Sequence, residues 1–330
     1  MLLRKLLYIL AFSLLLALTT APRPMHAAAT ITVVNLDGAD EGFNDATAPD
    51  PDSTAGGNAG ATLGAQRLEA FQFAADIWAA LLESSIEIRV GAQMDPLTCS
   101  AVSAVLGSAG PNTVHRNFAG ALVPDTWYPQ ALANKLKGDD LSGADDIDAK
   151  FNSAIGTTCP FPNVWYYGLD ENPPASKLDF VTVVLHEIGH GLGFTTLVDL
   201  DLGTKALGFD DAYMLNLEDH STGKLYPNMT DAERITASID TGDLHWVGLN
   251  VVSGGIGLIS GRDPPTGHVE MYAPSPNEPG SSVSHFSTSL SPNEVMEPFY
   301  AGANHDVGLA LNLMADIGFQ KKRRGQLVSD

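Results

Sequence analysis

Positive charge is what this sequence lacks most. Its 330 residues hold 18 Lys+Arg against 39 Asp+Glu, a formal charge of −21 at pH 7. Phosphate recognition needs clustered lysine and arginine, so nucleic acid and anionic membrane surfaces are poor partners. Charged residues of both signs reach only 17% while hydrophobic residues reach 44%, which argues against a disordered chain. Beyond the first thirty residues no apolar segment approaches the length of a membrane span. No internal repeat points to a solenoid or propeller. The length suits one large domain or two ordinary ones, enough for a substantial core.

The first thirty residues read differently from the rest. Arg4 and Lys5 precede an apolar run over 6–18, and Ala27, Ala28 and Ala29 follow. Charge, a short apolar run and small residues form the pattern of a cleaved secretory signal, and the run is too short to span a bilayer. A signal peptide over 1–29 is expected, with the mature chain starting near Ala28 to Thr30 and exported to the extracellular space or periplasm. Its removal takes Arg4, Lys5 and Arg23, so 15 basic residues face 39 acidic ones and the charge deepens to −24. After export no membrane association is expected. Export also gives meaning to the two cysteines. Neither Cys99 nor Cys159 sits in a C-x-x-C pair, so one disulfide between them is expected ahead of a cysteine metal site.

Along the mature chain, 31–35 (ITVVN) reads as a first strand. Residues 35–60 carry Asp37, Asp40, Glu41, Asp45, Asp50 and Asp52 among glycines and prolines, and read as loop. These carboxylates could bind Ca²⁺, but their spacing fits no EF-hand, and a solvated acidic loop is the preferred reading. Leu68, Phe71, Ala75, Trp78 and Leu82 recur at helical steps across 65–83. Ile86, Ile88 and Val90 then alternate as in a strand. A second acidic cluster holds Asp139, Asp140, Asp145, Asp146 and Asp148. The aromatic run 164–167 (VWYY) reads as a strand destined for the core. Residues 195–284 read as loop-rich. Near the end, Val307, Leu311, Met314 and Ile317 form a helical stripe closed by Gly318. The basic tail, 321–330, reads as a frayed terminus.

The informative segment is His186-Glu187-Ile188-Gly189-His190, an H-E-x-x-H motif preceded by the apolar run 180–185. Histidines at i and i+4 project from one helix face, one turn apart, and can reach a single Zn²⁺. The glutamate between them can take a proton from water activated by the metal. Gly193 follows three residues after His190, where a glycine lets the chain turn sharply out of the helix. Two more residues on from Phe194 stands Thr196, so no ligand is contiguous with the motif. Histidines downstream are His220, His245, His268, His285 and His305. Glu218, 28 residues past His190, is a further candidate in the manner of glutamate-ligated zincins.

The extended segment HEIGHGLGF resembles the metzincin metallopeptidases, whose motif continues to a third histidine and a Met-turn. Two later pieces, the Ser284-His285-Phe286 segment and Met296 in the turn 293–298 (NEVMEP), make the chain similar to the leishmanolysin family and to a group of predicted bacterial secreted metallopeptidases. There a long insertion separates the turn glycine from the third ligand. The likeness is specific in these pieces and weak over 31–160. It implies His186, His190 and His285 as zinc ligands, Glu187 as general base, and Met296 as the packed floor beneath the metal. His245 and His268 remain alternatives for the third ligand. Tyr300 is a candidate oxyanion donor, with a structural role preferred.

The expected fold is α+β, a metzincin-like catalytic unit in two lobes. One lobe spans 31–193 with a twisted sheet, a backing helix and the active-site helix. The other spans 194–320 with the insertion, the third ligand, the Met-turn and the last helix. The expected activity is that of a secreted zinc endopeptidase acting on protein or peptide substrates in the cleft between lobes. The alternatives are an inactive secreted binding or adhesion protein of the same fold, which would not need Glu187, and a zinc amidase on non-protein amides.

Overall fold

The computed structural model describes residues 28–322. The signal-like segment, up to residue 27, and tail residues 323–330 lie outside the described residues. The fold is a mixed α+β one. Among the described residues no helix is long and apolar enough to cross a membrane.

The principal sheet has four strands, Ile31–Asn35 (β1), Ile88–Asp95 (β2), Gly107–Pro111 (β3) and Ile147–Asn152 (β4). Their spatial order is β1-β2-β4-β3, parallel except for β3, which runs antiparallel to β4 at the edge. Alternation dictates which face is covered: Ile88, Val90, Ala92 and Met94 of β2 and Ile147, Ala149 and Phe151 of β4 are all buried. The helix Leu63–Leu81 (α1) packs its stripe of Phe71, Ala75 and Trp78 into the same core. Thr62 caps it, accepting the Ala65 N–H at 3.1 Å. Aromatic rings carry the core onward by edge-to-face contacts, from Phe71 to Phe151 at 5.4 Å, Phe151 to Phe180 at 5.1 Å, and Phe180 to Trp165 at 5.3 Å. The expected aromatic strand therefore forms, as Val164–Tyr166, and its rings are interior.

Helix Gln130–Lys137 (α2) leads back toward the sheet, and helix Phe180–Leu192 (α3) carries the H-E-x-x-H motif. Asp179 starts α3 by accepting the Thr182 N–H at 2.7 Å. Trp78 on α1 donates its indole N–H to the Leu185 carbonyl at 3.0 Å, tying the backing helix to α3.

The stretch read as loop-rich holds more structure than its sequence announces. Strands Leu217–Asp219 (β5), Lys224–Leu225 (β6), Leu244–Trp246 (β7) and Val269–Glu270 (β8) form an antiparallel sheet in the order β6-β5-β7-β8. Strands of two or three residues are too short to show alternation, which is why glycine, proline and aspartate dominate the reading there. Helices Asp231–Ala237 (α4) and Leu249–Gly254 (α5) flank this sheet, and helix Gly308–Ile317 (α6) closes the fold. Buried apolar side chains from both halves of the chain form one contiguous core.

The basic tail requires a correction at its start. Lys321 belongs to a short strand pair, Gln320–Lys321 with Leu82–Glu83, and Lys322 donates its N–H to the Leu81 carbonyl at 2.9 Å. Backbone pairing holds this stretch at the end of α1, so fraying is excluded up to Lys322.

Cys99 and Cys159 are bonded, with 6.0 Å between their Cα atoms. The bond joins the segment following β2 to the segment following β4. Removing it by Cys99→Ser with Cys159→Ser frees a loop of 60 residues and should lower unfolding free energy by about 2–4 kcal/mol. Urea denaturation of both forms measures this, and indistinguishable midpoints would refute it.

Candidate metal centre

The centre is built from two segments nearly a hundred residues apart. His186 and His190 stand one turn apart on α3, and His285 reaches them from the loop ahead of the Met296 turn. In each ring Nδ1 faces a backbone carbonyl: His186 to Val295 O at 2.8 Å, His190 to Phe194 O at 2.8 Å, and His285 to Ser281 O at 2.7 Å. A carbonyl can only accept, so every Nδ1 carries the proton and every Nε2 presents a lone pair. The three Nε2 atoms lie 3.0, 3.1 and 3.1 Å from one another. With no proton between them these contacts are not hydrogen bonds. They are three lone pairs aimed at one place.

Protonation does not relieve the crowding. Burial pushes the His186 imidazolium below its usual range, and burial with the neighbouring His186 drives His190 down to about 3. His285 is held well below the ordinary value by burial and then by His190 and His186. All three rings are neutral near pH 7. Such a donor set is satisfied by a metal cation, and the carbonyl beyond each ring is the outer support that fixes tautomer and direction.

The surrounding chain holds these rings in place. Phe194 and Phe286, each next to a ligand segment, meet edge to face at 5.0 Å. Phe286 N–H donates to the Met296 carbonyl at 2.9 Å, and Tyr272 N–H donates to His285 O at 2.9 Å. Met296 is fully buried beneath α3. A Cβ on Gly189 would fall 2.6 Å from the Met296 sulfur, so only glycine lets the helix lie this close to the turn. Gly193, at φ +130°, ends α3 with its N–H on the carbonyls of Gly189 and His190.

Glu187 points from α3 to the edge strand β3, where the Ala109 N–H donates to its carboxylate. A Cβ on Gly107 would lie 2.8 Å from its Oε1. Burial raises the Glu187 carboxyl to about 8, against the lowering effect of the Ala109 bond. The centre opens on a cleft of about 1080 Å³. One wall is 102–109, including β3; another runs from Pro298 to Asn304; Thr195 to Asp201 and Ser281 to His285 complete it. The cleft thus takes residues from both halves of the chain.

The other candidates are elsewhere. Thr196, at the place of a contiguous third ligand, donates its hydroxyl to Asp211 at 2.9 Å, and its N–H goes to Ser284 Oγ at 3.2 Å. It ties the chain leaving α3 to Asp211 and to the residue before His285. Tyr300 accepts the Asp179 N–H at 3.0 Å on its hydroxyl, a structural role at the start of α3. His305 Nε2 lies 3.0 Å from Asp179 Oδ1, at the end of the helix away from His190. Glu218, His220 and His268 gather by themselves on the small sheet, and His245 bonds through Nδ1 to Asp243 O. Neither the glutamate-ligated arrangement nor His245 or His268 as third ligand fits this placement.

The calcium reading of 35–60 also falls. Asp37 accepts the N–H groups of Phe43 and Met94, Asp45 binds Thr47 and Arg67, and Asp50 binds Ser53 and Lys177. Among the described residues no three of these carboxylates converge as a cation cage requires. Asp146 of the second cluster accepts from Arg89 N–H and Asn134, joining β2 to α2.

Asp211 escaped sequence reading. Fully enclosed, it accepts the Leu197 and Met214 N–H groups at 2.7 Å each, besides Thr196. Burial pushes its carboxyl up to about 6. Its bond to Met214, three residues on, is local, but the partners that give it its role, Leu197 and Thr196, lie 14 and 15 residues upstream. No family model, curated protein or solved structure matches the chain.

A carboxyl with a folded pKa about 8 and an ordinary value of 4.5 keeps its proton in the folded chain at pH values where the unfolded chain has lost it. Its stabilising effect is full below pH 4.5 and is lost as pH rises toward 8. In metal-stripped protein, Glu187→Gln should therefore match wild type near pH 4.5 and exceed it by about 1–3 kcal/mol near pH 8. Chemical denaturation at both pH values reads the difference; a gap that does not grow with pH would refute it.

Proposed function

We propose that the chain is a secreted zinc-dependent endopeptidase of metzincin, leishmanolysin-like type. The observation that carries this reading is the convergence of three neutral Nε2 lone pairs beside a buried glutamate in an open cleft. The donor set fits zinc. Four-coordinate zinc bound at about 2.0–2.1 Å sets its nitrogen ligands about 3.3 Å apart, near the 3.0–3.1 Å of these rings. His186, His190 and His285 would hold the ion, and Met296 packs under the helix without ligating it. Three protein ligands leave a position open, as in catalytic rather than structural sites.

Zinc in such a site lowers the pKa of water toward neutrality and polarises a carbonyl. The proton is moved by Glu187. One carboxylate oxygen is held by Ala109 N–H; the other takes a proton from the attacking water and returns it to the departing amine nitrogen. Burial favours the protonated form of Glu187 in the metal-free chain; the charge of a bound cation would favour the carboxylate, the form that accepts a proton. The edge strand β3 supports a peptide as substrate. Its residues Gly107, Ser108, Ala109 and Gly110 are small, and an unpaired strand edge binds extended chains by main-chain hydrogen bonds. Asp199 and Asp201 line the cleft, and among the described residues no lysine or arginine does, which favours cationic peptides. The signal pattern and the Cys99–Cys159 bond fit export.

Purified mature chain should hydrolyse casein or gelatin and lose the activity to a chelator. Glu187→Ala should retain zinc and fall by about 10²–10⁴-fold in rate, while His285→Ala should lose zinc itself. Zinc-loaded wild type as inert as Glu187→Ala on these proteins would overturn the peptidase reading. Turnover of small amides in their place would point to an amidase.

A further inference from the structure

A second cluster of metal-binding side chains lies on the small sheet, away from the three-histidine centre. Glu218 stands opposite His245 across β5 and β7, and His245 stands opposite Glu270 across β7 and β8. Directly opposed residues share a face of a sheet, and so do residues two apart. His220 is two beyond Glu218, with the pairing continued by its N–H on Asp243 O at 2.9 Å. His268 is two before Glu270. Alternation thus brings Glu218, His220 and His268 to one face from separate parts of the chain.

Their atoms face one another without bonding. Glu218 Oε1 is 3.5 Å from His220 Nδ1 and 3.3 Å from His268 Nδ1. Both nitrogens are closed off from water and have no hydrogen-bond partner. A buried nitrogen left so bears its full desolvation penalty, whether it carries a lone pair or a proton. Two such atoms around one carboxylate oxygen are a demand for a cation. On the far side of the His220 ring, Asp263 Oδ2 lies 3.7 Å from Nε2. That carboxylate favours the tautomer with the proton on Nε2, which turns the Nδ1 lone pair toward Glu218.

We propose that Glu218, His220 and His268 form a second divalent metal site of the zinc class, structural in role. Two imidazoles and a carboxylate suit zinc better than calcium or magnesium, which take oxygen ligands. Separations of 3.3 and 3.5 Å match the roughly 3.3 Å between ligands of four-coordinate zinc. The bound ion would clamp the end of β5 to the turn that enters β8. Strands of two and three residues are marginal by themselves, so a clamp here holds the insertion together. This site does not depend on the peptidase reading.

The test is zinc stoichiometry of the mature chain, after chelator treatment, by calorimetric titration with Zn²⁺ alone. Wild type should bind two equivalents. His186→Ala with His190→Ala should keep one, and adding His268→Asn to that variant should remove it. His220→Ala with His268→Ala should bind one equivalent, at the first centre. Should the alanine pair fail to fold, His268→Asn alone gives the same reading, with the second-site affinity lowered at least 10-fold. One equivalent in wild type that disappears with His186→Ala and His190→Ala would overturn the proposal, as would two equivalents persisting in the His220/His268 variant.

Discussion

Each of His186, His190 and His285 gives its Nδ1 proton to a main-chain carbonyl, which leaves three Nε2 lone pairs pressed together in a buried space. Much of the fold is arranged around holding them there. Left alone, the rings would turn apart or take up protons, and burial forbids the second escape. Packing forbids the first. The Val295 carbonyl comes from the Met296 turn, the Phe194 carbonyl from the sharp exit at Gly193, and the Ser281 carbonyl from the same loop as His285 itself. The folded chain therefore carries an unfavourable arrangement that a cation converts into a favourable one, and binding energy becomes folding energy.

The H-E-x-x-H helix was readable because its geometry is local. One turn of helix sets the relation of His186 to His190, and an apolar run announces the helix. The long helix over 63–81 and the last helix were readable for the same reason. His285 was readable only through Met296 and the family likeness, since no periodicity links residue 190 to residue 285. The small sheet of the insertion was not readable, because two-residue strands leave no pattern. With it went the gathering of Glu218, His220 and His268, which needs the register of β5 against β7 and β8. Glu218 and His268, considered singly as rivals for one site, gather instead with His220 elsewhere.

Thr196 shows how a departure from a motif becomes structural. At a place where a contiguous ligand would come from the chain itself, this chain has a hydroxyl. That hydroxyl reaches Asp211, and the Thr196 N–H reaches Ser284, next to His285. The same short stretch thus joins the chain leaving α3 both to Asp211 and to the segment that carries His285. Asp211 sits where a charge is expensive, with burial holding its carboxyl up to about 6. Its bonds to Leu197, Met214 and Thr196 are what make that tolerable. A histidine brought back from so far down the sequence needs such a knot, since loop-closure entropy otherwise opposes its return.

The insertion also carries its own demand for order. It contributes an acidic, glycine-rich and proline-rich stretch with short strands. Its core runs through Tyr213 and Trp246, whose rings meet at 4.8 Å, and Tyr213 donates its hydroxyl to the Val283 carbonyl at 2.8 Å. Val283 is two residues from His285. One tyrosine therefore links the small sheet to the segment that carries His285. On this argument the proposed cation at Glu218, His220 and His268 would serve the first centre at a distance. It would hold β5 against β8, β7 between them would keep Trp246 under Tyr213, and Tyr213 would keep the loop of His285 in place. A chain of packed side chains and a hydrogen bond suffices for such support, and it requires no movement of either site.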